Sequence, residues 1–181
     1  MLLTIQKSCL LMIDVQEKLT PLVLNHESLV KNCQWLMRLA NELEVPIHLS
    51  EQYPKGLGKT VEPLLSEASK AVYSDKMFFS CASDTEFLKK LNDSACHDII
   101  IAGIETHVCV MQTALELTML GKNIFVVVDA VSARHDIDHR YGLKRMKAAG
   151  VTLVTREMVF FEWLRKAGTP NFKQLSQQFL K

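Results

Sequence analysis

The chain has 181 residues, 48% of them hydrophobic, with 21 Lys and Arg against 20 Asp and Glu. That length suits a single domain spanning residues 1–181, able to bury a core without disulfides or metal. Nearly cancelling charge with no long run argues against nucleic acid or an anionic membrane as the main partner. No stretch is apolar for long enough to span a bilayer.

In chain order, Met1 to Ile13 carries an apolar patch that Asp14 cuts short, with no small-residue cleavage site after it. It reads as a first strand, Cys9 to Ile13, rather than a signal peptide. Asp14 then sits where that strand leaves the core, as a loop carboxylate, a cap or a catalytic group. From His26 to Glu44 the residues Leu29, Val30, Cys33, Leu36, Met37 and Ala40 recur at helical spacing, with Trp35 at the edge of the stripe. Val45 to Leu49 is a second strand, its Pro46 tolerable near the start. The stretch EQYPKGLGK, Glu51 to Lys59, is read as a loop, and Val61 to Glu67 as a short helix.

Ala71 to Ser80 is read as a third strand or extended segment containing Lys76, which taken alone is an ordinary solvated lysine. Thr85 to Asn92 is helical. The most informative stretch follows, DIIIAGIETHVCVMQTALELTMLG from Asp98 to Gly121. Ile99 to Ala102 suits a strand covered on both faces, closed by Gly103. Thr106 is the expected N-cap of a helix ending at Gly121, which puts Cys109 in the first turn. There the free N–H groups and the helix dipole favour a thiolate. Cysteine is also a small hydrophobe that packs inertly in cores, so local sequence leaves both readings of Cys109 open. His107, two residues away, does not share its face and reads as a surface histidine. Ile124 to Val128 is a strand ending at Asp129, Asp138 to Ala149 a helix, and Val151 to Val154 a last strand. Met158 to Lys166 is helical, and Phe172 to Leu180 is a short terminal helix or arm.

Strands alternating with helices give an α/β fold, a parallel sheet covered on both sides in three layers. Right-handed crossovers bring every strand's carboxyl end to one edge. Asp14, the EQYPKGLGK loop, Lys76 and Cys109 all fall on it.

Several chemistries are not supported. G-x-x-x-x-G-K-[ST] and G-x-G-x-x-G are both absent. Leu115 occupies the arginine position of a C-x5-R phosphatase loop, and Met111 the glycine position of a hydrolase elbow. His135 and His139, four apart, suit a metal pair, but Asp136 and Asp138 more naturally cap the helix there. Five cysteines (9, 33, 81, 96 and 109), odd in number and without C-x-x-C, fit a reducing, cytoplasmic compartment.

The clustered residues bear a resemblance. I-D-V-Q at the end of the first strand, D-K-M-F-F-S around Lys76, G-I-E-T-H-V-C-V around Cys109, V-V-D-A-V-S-A-R and R-M-K-A-A-G-V together resemble the isochorismatase-like cysteine hydrolases. The likeness runs from about Leu10 to Phe161. It implies a six-stranded parallel sheet and a catalytic triad of Asp14, Lys76 and Cys109. It also implies a non-proline cis peptide between Ile104 and Glu105, with the N–H groups of Glu105 and Cys109 binding an oxyanion. Gln16, Tyr53 and Phe79, within or beside these motifs, are the candidate substrate-pocket residues. Nicotinamidases of that family carry a D-x-H metal motif where this chain has Glu51-Gln52-Tyr53. No metal or cofactor is therefore expected, and nicotinamide is disfavoured. Cys109 argues against isochorismate cleavage, whose vinyl-ether chemistry needs no covalent step.

The reading is a hydrolase of a small amide or related C–N bond, acting through a Cys109 thioester. Its rivals are a catalytically silent binding or scaffold protein of the same fold, and a redox sensor, for which the sequence offers no recognisable resolving cysteine. The expected partners are a small-molecule substrate and further copies of the chain. Homo-oligomerisation is expected from the resemblance and because Phe172, Leu175 and Phe179 give the C-terminal segment an apolar face to dock on a neighbour.

Overall fold

The computed structural model describes residues 1–181. Its strands are β1 (Ser8–Ile13), β2 (Ile47–Gln52), β3 (Val72–Lys76), β4 (Asp98–Ile104), β5 (Asn123–Ser132) and β6 (Thr152–Val154). They form one sheet in the order β3-β2-β1-β4-β5-β6, every neighbouring pair parallel. The order reverses between β1 and β4. Ligand crevices of open α/β sheets form at such a switch, beyond the strands' carboxyl ends.

The helices are α1 (His26–Glu42), α2 (Pro54–Leu57), α3 (Glu62–Leu65), α4 (Thr85–Asp93), α5 (Met111–Met119), α6 (Asp136–Ala148), α7 (Arg156–Leu164) and α8 (Pro170–Phe179). They cover the sheet from both sides, giving the three layers expected. Strand alternation divides the core accordingly. Leu10, Met12, Ile100 and Ala102 pack toward α1 and α7, while Cys9, Leu11, Ile99 and Ile101 pack toward α4, α5 and α6. All residues of β1, β2 and β4 are buried; β1 and β4 are mainly apolar runs, whereas β2 also buries His48, Ser50, Glu51 and Gln52.

Four sequence expectations need correction. β2 runs on through Glu51 and Gln52, because these pair with Asp75 and Lys76 in the ladder to β3 and their side chains find buried partners. The remainder of the supposed loop contains α2. β5 continues past Val128 to Ser132, with a register irregularity against β4 between Ile101 and Gly103. The helix after β4 begins as a π-helical turn, Thr106–Val110, before α5. Thr106 does not cap it, since its hydroxyl is buried against His139 Nδ1 at 2.9 Å. Finally, α8 docks on its own chain. Leu175 and Phe179 are buried in the core, Phe172 packs against it, and Trp35 meets Phe179 edge-on at 5.2 Å.

Candidate active site

Asp14 and Lys76 leave the carboxyl ends of β1 and β3, and Cys109 lies in the turn after β4. Asp14 and Cys109 thus flank the switch point, with β2 between Asp14 and Lys76. Asp14 sits at φ 53°, in the left-handed region, where β1 breaks from the sheet. Its carboxylate is completely buried. Oδ2 accepts from Lys76 Nζ at 2.6 Å, and Oδ1 accepts from Ser50 Oγ of β2 at 2.7 Å. Lys76 is equally sequestered, its side chain 1% exposed. Burial pushes its ammonium down, but the adjacent Asp14, with Cys81 and Cys109, more than offsets this and holds it above the ordinary lysine value.

Cys109, 7% exposed, faces the Asp14 carboxylate. Burial pushes its thiol up, the negative charge of Asp14 pushes it further, and Lys76 opposes both without cancelling them. Burial and the facing carboxylate thus favour the thiol at Cys109, the reverse of what its place at the start of a helix argues for. Cys81, in the turn Cys81–Ser83 after β3, lies near the same carboxylate and is pushed up to about 11, first by burial and then by Asp14. Its amide donates to Thr113 Oγ1 of α5 at 2.9 Å, and Ser80 and Ser83 both donate to Glu116 of that helix. These bonds tie the loop after β3 to the helix that follows Cys109.

The turn itself is held from two sides. The Glu105 carboxylate accepts from the Arg134 amide and its Nε, both at 3.1 Å. The Glu105 carbonyl accepts from the amides of Val108 and Val110 and passes over that of Cys109. The Ile104–Glu105 peptide is cis. Gly103, at φ +117°, lets β4 pass close to the end of β1.

Of the three pocket candidates, Tyr53 lines a cleft of about 430 Å³ with Pro54, Asp75, Lys76, Met77 and Phe78. Phe79 is exposed but outside that lining. Gln16 is fully buried and does not reach the cleft. Its amide binds the backbone of Gln52, accepting from the N–H at 2.7 Å and donating to the carbonyl at 3.0 Å, and it donates to the Gly58 carbonyl at 2.7 Å. Sequence reasoning missed Ser50, Gln52 and Cys81. The signal available was that Glu51 and Gln52 continue the second strand.

Where nicotinamidases carry their metal motif, the side chains here are engaged elsewhere. Glu51 accepts from Thr60 N and Oγ1 at 2.7 and 2.8 Å, and Gln52 from Lys76. His139 is bound to Thr106, His107 lies 4.0 Å from Asp138, and no group of three or more His, Cys, Asp or Glu side chains converges. The residues present do not fit a metal. His107 is half-buried, its backbone packed on Gly142 of α6, rather than a free surface histidine. No helix is long and apolar enough to cross a membrane.

Comparison with known proteins agrees with this architecture. Residues 8–158 match the family model described as the isochorismatase domain. "Isochorismatase family protein 1B" of Dictyostelium discoideum is 34% identical over 174 residues, 94% of this chain and 84% of that protein. "Isochorismatase domain-containing protein 2A" of Mus musculus is 35% identical, over 95% of this chain and 82% of that protein. Among solved structures, the MAR1 ribonuclease of Caenorhabditis elegans superimposes with a TM-score of 0.93 at 33% identity, covering 100% of this chain and 93% of that one. The YcaC gene product of Escherichia coli, described as an octameric hydrolase of unknown specificity, gives 0.92 at 26%, covering 99% and 91%.

Proposed function

The chain belongs to the isochorismatase domain family, and from that membership and the site we propose that residues 1–181 form one hydrolase domain cleaving a small amide or related C–N bond through Cys109. The observation that carries the reading is a buried Asp14 carboxylate, 2.6 Å from the Lys76 ammonium and facing the Cys109 thiol at the switch point of the sheet.

A thiol held above its ordinary range needs a base, and Asp14 is the carboxylate against it. Asp14 takes the proton as the sulfur bonds to the substrate carbonyl carbon, and the carbonyl electron pair moves to oxygen. The amides of Glu105 and Cys109 point donors at that oxyanion. As the tetrahedral species collapses, the C–N bond breaks and Asp14 returns the proton to the leaving nitrogen, leaving a thioester. Water, giving a proton to Asp14, attacks the thioester; the C–S bond then breaks, Asp14 returns the proton to sulfur, and the acid leaves. Lys76 transfers no proton in this scheme. Its charge pairs with the Asp14 carboxylate and holds it in place, since a lone buried carboxylate is costly.

The cleft beside Tyr53 and Phe78, which of the three reacting residues only Lys76 lines, is the proposed approach for the substrate. The family residues and the balanced charge support a small-molecule substrate over nucleic acid, and the five free cysteines support a reducing, cytoplasmic setting. Met77, Phe78 and Phe79, all more than half exposed beside the cleft, together with the octameric relative, support assembly of several copies.

The test is a screen of small amides for acid release, with Cys109→Ala as control and an RNA substrate as a competing arm, because the nematode relative is described as a ribonuclease. Amide turnover lost in Cys109→Ala is expected. RNA cleavage that survives the substitution, without amide turnover, would overturn the reading.

A further inference from the structure

Three strands end together at the site, and a chain of side chains crosses them. Gln16 leaves β1, Gln52 ends β2 and Lys76 ends β3. Gln16 fixes the Gln52 backbone through both amide atoms. Gln52 Oε1 then accepts from Lys76 Nζ at 2.6 Å, while its Nε2 donates to the Met77 carbonyl at 2.9 Å. The two bonds fix the amide's orientation, because a flip would set an NH2 against an ammonium. Lys76 has three N–H donors. They meet Asp14 Oδ2 at 2.6 Å, Gln52 Oε1 at 2.6 Å and, at longer range, the Phe78 carbonyl at 3.4 Å.

We propose that Gln52 is a positioning residue of the triad, a neutral acceptor that holds the Lys76 ammonium on Asp14 without bringing a second negative charge to the site. The inference rests on the hydrolase reading above and deepens it.

The chemistry of position 52 decides how Asp14 behaves. An apolar side chain leaves one N–H of a buried ammonium without an acceptor and frees Lys76 to shift. A carboxylate restores the acceptor but shares one positive charge between two negative groups, which loosens the hold of Lys76 on Asp14. Only a neutral acceptor of this length satisfies Lys76 and leaves its charge to Asp14. The titratable groups facing Asp14 are Lys76 from β3, Cys81 from the following turn and Cys109 from the turn after β4, with Ser50 donating from β2. Gln52 adds no charge to this set.

The experiment is alkylation of Cys109 by iodoacetamide, followed by peptide mass mapping between about pH 5 and pH 9. The protein is compared with Gln52→Met and Gln52→Glu, each checked for folding by thermal melting. In the wild type Cys109 is expected to be alkylated faster than the buried Cys33. Gln52→Met should lower the Cys109 rate by roughly tenfold or more through misplaced Lys76 and Asp14. Gln52→Glu, which keeps an acceptor of the same size but competes with Asp14 for Lys76, should lower it by a smaller factor. If Gln52→Met does not fold, the rate loss in Gln52→Glu decides the matter. A merely structural Gln52 would move the melting temperature and leave the Cys109 rate in place. Folded variants with the wild-type Cys109 rate, on a reactive Cys109, would overturn this inference alone. A wild-type Cys109 alkylated no faster than the fully buried Cys33 would overturn the hydrolase reading and this inference with it.

Discussion

The protonation state of Cys109 separates what local sequence implies from what the fold imposes. Position near a helix start argues for a thiolate, but burial and the facing carboxylate push the thiol up. A raised pKa means that Cys109 stays protonated until the pH climbs well past the ordinary thiol range. The thiolate absorbance difference between the protein and Cys109→Ala is expected to stay flat from about pH 6 to pH 9 and to rise only above it. A rise centred at or below neutral pH would contradict that state. The subtraction is needed because Cys96, at the opposite edge of the sheet, is pushed down to about 6, chiefly by the neighbouring Cys9 thiol. Asp14 was visible as the end of an apolar run, whereas Lys76 and Cys109 were singled out by the motifs that carry the family resemblance. Ser50 and Gln52 were not, because a short polar extension of a buried strand has the composition of a loop until its ladder partner is known.

Among the elements, the strands and most helices were legible from apolar runs and helical spacing, with ends shifted by a few residues. The start of the helix after β4 was not, since a π-helical turn has no signature separable from an ordinary cap. The junction depends on Gly103. At φ +117° an L side chain is already strained, and a Cβ there would land on the carbonyl oxygen of Ile13, one residue before Asp14. Gly103→Ala is expected to destabilise the protein by about 3 kcal/mol, from backbone strain and overlap together. Gly121→Ala, at φ +81° with nothing within 4 Å of the added carbon, should lose only about 1 kcal/mol. Denaturant unfolding of both variants checks this, and equal losses would show that the close approach to Ile13 is not the constraint.

At the scale of the whole molecule, topology turns weak local signals into a site. Strand order 3-2-1-4-5-6 was not readable from sequence, because it depends on which crossover goes to which side. It is nonetheless what sets β1 beside β4, and Asp14 beside Cys109. The C-terminal segment shows the opposite failure, where apolar spacing was legible but its partner was not. Leu175 and Phe179 pack on Trp35 and Phe160 of the same chain. Ending the chain at Gly168 is therefore expected to cost about 3–6 kcal/mol, from the two buried side chains alone, and to lower the melting temperature sharply. Wild-type melting in that truncation would place α8 outside the fold of the single chain. Light scattering on the intact protein should give a multiple of the 20.5 kDa chain mass, and a monomer at micromolar concentration would contradict assembly.

The most direct test of the site is to catch the covalent intermediate. Protein mixed with an amide it turns over, quenched in acid and mapped by mass spectrometry, should carry the acyl group on the peptide containing Cys109. The adduct should be absent in Asp14→Asn, which has no base to take the thiol proton. Turnover without acyl-Cys109, or an acyl group on Cys81 or Cys96 instead, would contradict the assignment of Asp14, Lys76 and Cys109 as the reacting unit.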